Sequence, residues 1–170
     1  MRKAAPWIIA ALVIAAIVHV VSLHALPRFV MARAVHRMGA VNTMHFGRRP
    51  DATSRTVVRP SPDLLYAACP YDLSDGPLLV TAPVPPGTYW SVSVFDADTN
   101  NIFVRNDLQL HGQLYLMIYP PGASPKAEVG AAVVSPTLWG VVLTRTLIEK
   151  DNDLPALEAF RHRASCGIVR

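Results

Sequence analysis

Hydrophobic positions divide the chain into two parts with different patterns. Residues 4–26 contain no Asp, Glu, Lys or Arg, and the centre of this segment is continuously apolar. A helix needs about 20 apolar residues to cross a bilayer, and Pro6 stands in the first turn, where a helix tolerates proline. The pattern predicts a transmembrane anchor at residues 4–26, preceded by a short cytoplasmic tail at residues 1–3.

A cleaved signal peptide is the alternative interpretation of this segment, because Arg2 and Lys3 precede the apolar run. The cleavage site is poor, since a cut after Ala25 places Leu23 at the −3 position, where a small residue is expected. The sequence therefore favours an anchor that is retained.

From residue 56 onward, short apolar runs are separated by Pro, Gly, Asn and Asp, which is typical of strands and turns. Trp90, Val92 and Val94 alternate with Ser91 and Ser93, as in a strand with one buried face. The predicted strands are 56–59, 64–71, 78–82, 88–95, 101–105, 114–118, 132–134 and 138–147.

The last predicted element is a helix. Asp153 is the expected N-cap, Leu154 the first residue, and Pro155 lies in the first turn. Eight short strands and one late helix predict a mainly β fold, an antiparallel sandwich or barrel-like domain with one short C-terminal helix. We assign this β domain to residues 51–170.

Residues 27–50 connect the anchor to the β domain and mix basic with apolar side chains. This composition predicts a basic juxtamembrane helix or linker. A helix lying on the membrane surface fits the mixture, and a helix packed on the domain fits it equally well. Both alternatives stay open at this point.

The distribution of charge favours a lipid surface over nucleic acid as partner. Residues 1–50 carry seven basic and no acidic side chains, whereas residues 51–170 carry nine basic and twelve acidic ones. A nucleic-acid-binding domain concentrates positive charge on its folded part, and here that part is slightly acidic. The basic residues flank the apolar segment instead, where anionic head groups attract them. With 51% hydrophobic and 16% charged residues, the chain is also too apolar for a disordered protein.

The orientation of the predicted span in the membrane depends more on the size of the domain that follows it than on the charges that flank it. Arg28, Arg33 and Arg37 follow the span, and their count alone would favour the cytoplasmic side for the domain. A short charged tail is hard to translocate, however, and large domains cross largely regardless of charge. We expect a single-pass protein of the bacterial inner membrane with its C-terminal domain in the periplasm.

Asp63 is the first candidate for a functional carboxylate. Pro60 and Pro62 stiffen its loop, and Arg59 is close enough in sequence to pair with it. The ordinary interpretation is a carboxylate that caps a turn and pairs with Arg59. The sequence favours this structural interpretation over a ligand site.

A second acidic stretch has Asp96, Asp98 and Asn100 at the spacing of a calcium loop, with Asp107 at its twelfth position. Asn101 stands where that loop requires glycine, which favours an Asp/Asn-rich β-turn. The histidines lack zinc spacing, and the sequence has no phosphate loop or nucleophile elbow. We therefore expect no metal and no cofactor.

Cys69 and Cys166 are the only cysteines of the chain. An even count in an exported domain permits a disulfide between them. Cys69 lies in the middle of a predicted strand, where a small buried residue is normal. The sequence favours this unpaired interpretation over a bridge.

Several short motifs follow one another in a recognisable order. They are residues 59–66 (Arg-Pro-Ser-Pro-Asp-Leu-Leu-Tyr), 72–77 (Asp-Leu-Ser-Asp-Gly-Pro), Tyr89, 96–100 (Asp-Ala-Asp-Thr-Asn), 144–147 (Thr-Arg-Thr-Leu) and 153–154 (Asp-Leu). Over residues 40–165 the chain resembles the bacterial domain of unknown function 1254 family. Ser61 and Leu64 replace an Asn and a Thr of the usual pattern. The resemblance implies a mostly β fold, export and association with a sister domain, and it implies no established reaction.

Two function hypotheses follow from these observations. The first is a membrane-anchored binding or assembly module that acts with an envelope protein carrying the sister domain. The second is an envelope enzyme that uses Asp63 or Asp96 as acid or base on a small substrate. A pocket lined by Asp63, Tyr66, Asp96 and Asn100 would favour the enzyme, and otherwise the binding module is favoured.

Overall fold

The structure, a computed structural model, describes residues 4–55, 59–125 and 130–169. It begins with helix α1 (Ala5–Met38), which has 34 residues and a proline in its first turn. The helix has an apolar window of mean hydropathy 2.5, none of it buried against the chain, so it is long and apolar enough to span a membrane. The helix continues through Pro27 without a break and ends before Gly39, whose φ is +99°.

The strands are β1 (His45–Phe46), β2 (Leu64–Asp72), β3 (Leu78–Pro83), β4 (Trp90–Asp96), β5 (Asn101–Asn106), β6 (Gln113–Tyr119), β7 (Ala131–Val134), β8 (Trp139–Leu147) and β9 (Ser165–Ile168). Across the described residues they form two sheets. The first sheet has the order β1-β2-β8-β4-β5, and all its pairs are antiparallel. The second has the order β7-β6-β3-β9, in which only β7 runs parallel to its neighbour β6.

Alternation along the strands builds the core between the two sheets. Trp90, Val92 and Val94 face inward as predicted, and they belong to the same buried cluster as Val80 and Leu116 of the second sheet. The strand orders leave β1, β5, β7 and β9 as sheet edges in the described part of the chain. The predicted sandwich is therefore confirmed, and the barrel alternative is wrong because neither sheet closes on itself.

Seven of the eight predicted strands are present as β2 to β8, with ends shifted by at most two residues. The other, at 56–59, has its first three residues outside the described part of the chain. The pattern misses β1, which has only two residues, and β9, whose sequence Ser-Cys-Gly-Ile includes a glycine and lacks a run of strand-forming residues. The first of these begins at His45, ahead of the predicted start of the β domain at 51.

The C-terminal helix is present as α2 (Leu154–Arg161) and begins at the predicted residue, but the predicted side-chain cap is absent. Asp153 makes no side-chain capping bond and has helical backbone angles, with φ at −83° and ψ at −14°. The reason is a 3₁₀ turn at Asp151–Asp153, which leads the chain into α2. Asp153 therefore occupies the predicted N-cap position ahead of Leu154, but its side chain does not cap the helix, and the helix itself is confirmed.

Cys69 of β2 and Cys166 of β9 form a disulfide across a sequence separation of 97 residues. The expectation of an unpaired Cys69 is therefore wrong. Cys69 is fully buried in the middle of its strand, as expected. The unpredicted strand β9 brings Cys166 beside it, so the bridge joins the two sheets.

Candidate functional site

A groove of about 640 Å³ lies on the outer face of the first sheet, the face directed away from the core. One wall is the C-terminal part of α1, with Val30, Met31 and Ala34. The other wall consists of the segments 47–54 and 59–60, which follow β1 and precede β2. The groove therefore lies between the sheet and the helix that continues into the apolar span.

The floor of the groove follows from strand register. Leu65, Ala67 and Cys69 of β2 are buried on the core side, so Leu64, Tyr66 and Ala68 point outward. On β8, Val141, Leu143 and Arg145 line the groove for the same reason. The pairs Ala68–Leu143 and Tyr66–Arg145 are direct neighbours across the two strands. The floor is thus apolar at one end and basic at the other.

An ion pair attaches α1 to the turn between β4 and β5. Arg28 donates from Nε to Oδ1 of Asp98 at 2.5 Å and from Nη2 to Oδ2 at 3.1 Å. This hydrogen bonding lowers the pKa of Asp98 and raises the pKa of Arg28. Three residues further along the helix, Met31 is buried. The sequence left open whether residues 27–50 form a helix on the membrane surface or a helix packed on the domain. The contacts of Arg28 and Met31 correspond to a helix packed on the domain.

Three arginines around Tyr66 form what we call the basic rim: Arg48, Arg59 and Arg145. Arg145 is the cross-strand neighbour of Tyr66. Arg48 follows Gly47, whose N–H donates to the Tyr66 carbonyl at 3.1 Å. Arg59 stands two residues before Ser61, whose N–H donates to Tyr66 Oη at 3.0 Å.

The charges of the basic rim are uncompensated. Within the described residues, none of the three guanidinium groups has an acidic partner or a hydrogen bond. The adjacent Arg49 differs, because it pairs with Asp151 at 2.8 Å. Guanidinium groups beside an apolar floor are suited to bind a carboxylate or a phosphate.

A row of polar side chains crosses the sheet from the basic rim. Register places Arg145 opposite Ser91, and Ser91 opposite Asn106. Ser91 is 3% exposed, and in the described part of the chain neither its Oγ nor Oδ1 of Asn106 has a hydrogen-bond partner. Such orphaned buried groups are uncommon in folded proteins. We call Tyr66, Arg145, Ser91 and Asn106 the polar row.

Of the predicted site residues, Arg59 and Tyr66 line the groove. Asp63 is exposed, and its carbonyl accepts the N–H of Ile148 at 2.8 Å. Among the described residues its carboxylate has no partner, so the predicted ion pair with Arg59 and the capping role are wrong. Ser61 weakly caps the loop, since its Oγ accepts the N–H of Asp63 at 3.4 Å.

Asp96, Asp98 and Asn100 form a tight turn, not a metal loop. Oδ1 of Asp96 accepts the N–H groups of Asp98 and Asn100 at 2.9 and 2.8 Å, and Oδ2 accepts Nδ2 of Asn100 at 2.9 Å. These donors occupy the positions where a cation would bind. The described residues hold no cluster of three metal-ligating side chains. The turn-capping role predicted for Asp63 thus belongs to Asp96.

Strand register also separates Asp63 from Asp96. Asp63 bonds to Ile148, just after β8, whereas Asp96 is opposite Gly140 near the start of β8. Eight residues of extended chain correspond to roughly 25 Å. The two carboxylates therefore lie at opposite ends of the sheet and cannot act on one substrate together.

These positions predict different effects of two matched substitutions. Asp96→Asn should lower the free energy of unfolding by about 1.5–3 kcal/mol, because it removes a charged acceptor from a buried turn. Asp63→Asn should change it by less than about 0.5 kcal/mol, as expected for an exposed side chain. Urea unfolding followed by tryptophan fluorescence measures both. An equal loss for the two variants would contradict this assignment.

Sequence reasoning missed Arg48, Arg145 and Ser91 as members of the site. Arg145 carries one detectable signal, because it is the only charged residue in the strand β8. Its partners across the sheet depend on the strand order β2-β8-β4, which no local pattern reveals.

Comparison with known proteins identifies similar folds and a family, and it gives no activity for the protein. The sequence matches, over residues 41–167, the family described as "Protein of unknown function (DUF1254)". No curated protein matches it. Two solved structures are similar: the VPA0106 protein from Vibrio parahaemolyticus, with a TM-score of 0.66 and 16% identity, and an uncharacterized protein from Burkholderia cenocepacia, with a TM-score of 0.52 and 15% identity. The matches cover 87% and 70% of this chain, but only 35% and 34% of those chains.

Proposed function

The chain belongs to the DUF1254 family of proteins of unknown function, and we propose that it is a membrane-anchored binding module of the bacterial cell envelope. The groove between α1 and the first sheet carries this proposal. Its volume falls within the range of about 300–1,000 Å³ that is usual for ligand pockets. An apolar floor next to a few converging polar groups is the composition of a binding site.

The proposed location is the inner membrane, with α1 as a single span and the β domain in the periplasm. The apolar length of α1 supports the span. The Cys69–Cys166 disulfide supports an oxidising compartment, because such bonds persist outside the cytosol and are rare within it. The disulfide therefore favours a periplasmic over a cytoplasmic position of the β domain.

The proposed partner is an envelope protein with the sister domain. In the two similar structures this fold is about a third of a longer chain, which supports a role beside another domain. Strand β5 is an edge of the first sheet, and Val104 on it is half exposed. Leu108, just after β5, is 81% exposed. An open edge with exposed apolar side chains is suited to protein contact.

The geometry gives less support to the alternative, an envelope enzyme that uses Asp63 or Asp96 as acid or base. The two carboxylates lie roughly 25 Å apart along the sheet, and neither lines the groove. Asp96 is 1% exposed and its oxygens are occupied by donors of its own turn. A general acid or base must reach the proton that it transfers.

Photo-crosslinking in cells tests the binding module. Val30 lines the groove and is 46% exposed, whereas its neighbour Phe29 is outside the groove and 61% exposed. Replacing Val30 by p-benzoylphenylalanine should give an adduct on illumination, detected by intact-mass spectrometry of the purified chain. Phe29 replaced in the same way is the matched control, since it has the same distance to the membrane.

Equal adducts at both positions would show contact with bulk lipid and would overturn the proposal. The same photo-reactive residue at Leu108 should capture the partner as a crosslinked protein, identified by its peptides. Tyr115, an exposed residue of the second sheet, is the control for that position.

A further inference from the structure

We propose that the groove binds a long-chain amphiphile with an anionic head, such as a fatty acid carboxylate or a lipid phosphate. The head would lie at the basic rim and the tail along the apolar floor against α1. This inference rests on the proposed binding function and names the ligand class of the same groove.

The uncompensated positive charge of the basic rim indicates that the head group of the ligand is an anion. Arg48, Arg59 and Arg145 surround Tyr66, and in the described part of the chain no acidic side chain neutralises them. Arginine binds carboxylate and phosphate oxygens with its planar fork of N–H donors. Three such groups converging beside an apolar surface favour an anion over a neutral or cationic head.

One unused donor, the hydroxyl of Tyr66, adds to the anion site at the basic rim. The Ser91 hydroxyl, on the cross-strand neighbour of Arg145, is buried, has no partner among the described residues and lies outside the lining of the groove. Oη of Tyr66 accepts the N–H of Ser61, so its own proton is available for donation. An oxyanion beside Arg145 would accept from the Tyr66 hydroxyl, since both side chains line the groove.

The direction of the apolar floor indicates where the tail of the ligand lies. From Arg145, the floor continues along β8 through Leu143 to Val141. Val141 is next to Gly140, the partner of Asp96. The turn after Asp96 carries Asp98, which binds Arg28 of α1 three residues before Met31. Met31 follows Leu26, the last residue of the predicted span, by five residues, or about 7.5 Å of helix rise. The apolar end of the groove thus lies close to the membrane surface, and the basic rim lies beyond it. A tail directed toward the bilayer and a head directed away from it match this order.

The test uses the full chain in nanodiscs of phosphatidylcholine, with diazirine-labelled oleate as the anionic probe. The matched neutral probe is the diazirine-labelled alcohol of the same chain length. Diazirine-labelled lysophosphatidate forms a third arm, which separates a phosphate head from a carboxylate head. After illumination, mass spectrometry of peptides locates the adducts.

We expect at least one anionic probe to label peptides containing Met31 or Leu143 about tenfold more than the alcohol does, as expected for loss of charge-assisted bonds. Arg145→Gln, and Arg48→Gln combined with Arg59→Gln, should each remove most of this preference. Arg163→Gln is the control, because this exposed arginine stacks on Phe160 and lies outside the groove. Labelling by the alcohol should persist in every variant and shows that the groove is intact.

Equal labelling of the groove by anionic and neutral probes would overturn the anion assignment and leave the binding module standing. Labelling outside the groove alone would overturn the ligand class, while adducts at Val30 in cells would still support binding. A crosslinked protein at Val30 would assign the groove to the partner and overturn the amphiphile.

Discussion

Replacing both Cys69 and Cys166 by alanine is expected to lower the free energy of unfolding by about 4–5 kcal/mol. The bridge spans 97 residues, and closing a loop of that size restricts the unfolded chain by about this amount in the chain-entropy description. It also joins β2 of one sheet to β9 of the other, so its loss releases a short edge strand.

Urea unfolding of the full chain measures this effect, with Trp90 of the core as fluorescent reporter. Reduction of the unsubstituted chain should shift the midpoint by the same amount as the double substitution. A midpoint that stays the same after reduction would contradict a stabilising bridge.

Arg161→Ala is expected to lower the free energy of unfolding by about 3–5 kcal/mol, the usual cost of breaking a buried ion pair. The Arg161 side chain is 7% exposed and pairs with Glu158. Its Nη1 donates to the carbonyls of Gly47 and Tyr66 at 2.8 and 2.6 Å. Arg161 therefore links α2, β2 and the segment that carries Arg48.

Arg163→Ala is the matched control, since Arg163 is an exposed arginine two residues away whose contact is a stack on Phe160, and we expect at most about 1 kcal/mol for it. Removing Glu158 in addition to Arg161 should cost less than the sum of the single effects, because the two side chains act as one pair. Additive losses would contradict the pairing.

Arg161 also shows how stability and the candidate site are connected. It bonds to the backbone of Tyr66, while the side chain of Tyr66 lies on the opposite, outer side among the basic rim. A loss of Arg161 should therefore loosen the wall of the groove as well as the core. For this reason the binding tests use Arg145, Arg48 and Arg59, which make no internal bonds within the described residues.

Local patterns were sufficient for most elements of the fold. Trp90, Val92 and Val94 predicted a buried face, and the apolar run at 4–26 predicted a helix long enough to span a membrane. Such features depend on neighbouring residues, whose periodicity follows directly from strand and helix geometry.

Contacts between distant residues required the tertiary structure. In the sequence, Asp63 and Asp96 were both candidates for an acid or base. The order β2-β8-β4 places them at opposite ends of one sheet. The pairing of Cys69 with Cys166 depends on β9, a strand that the hydrophobic pattern does not predict.

By itself, then, the sequence determined the helix, most strands and the sandwich, because hydrophobic periodicity is a local property of the chain. The groove, its basic rim and the polar row were decided by strand order and by the packing of α1 on the sheet. Arg48, Arg59 and Arg145 are separated by up to 97 positions in the chain, and only the folded register brings them around Tyr66.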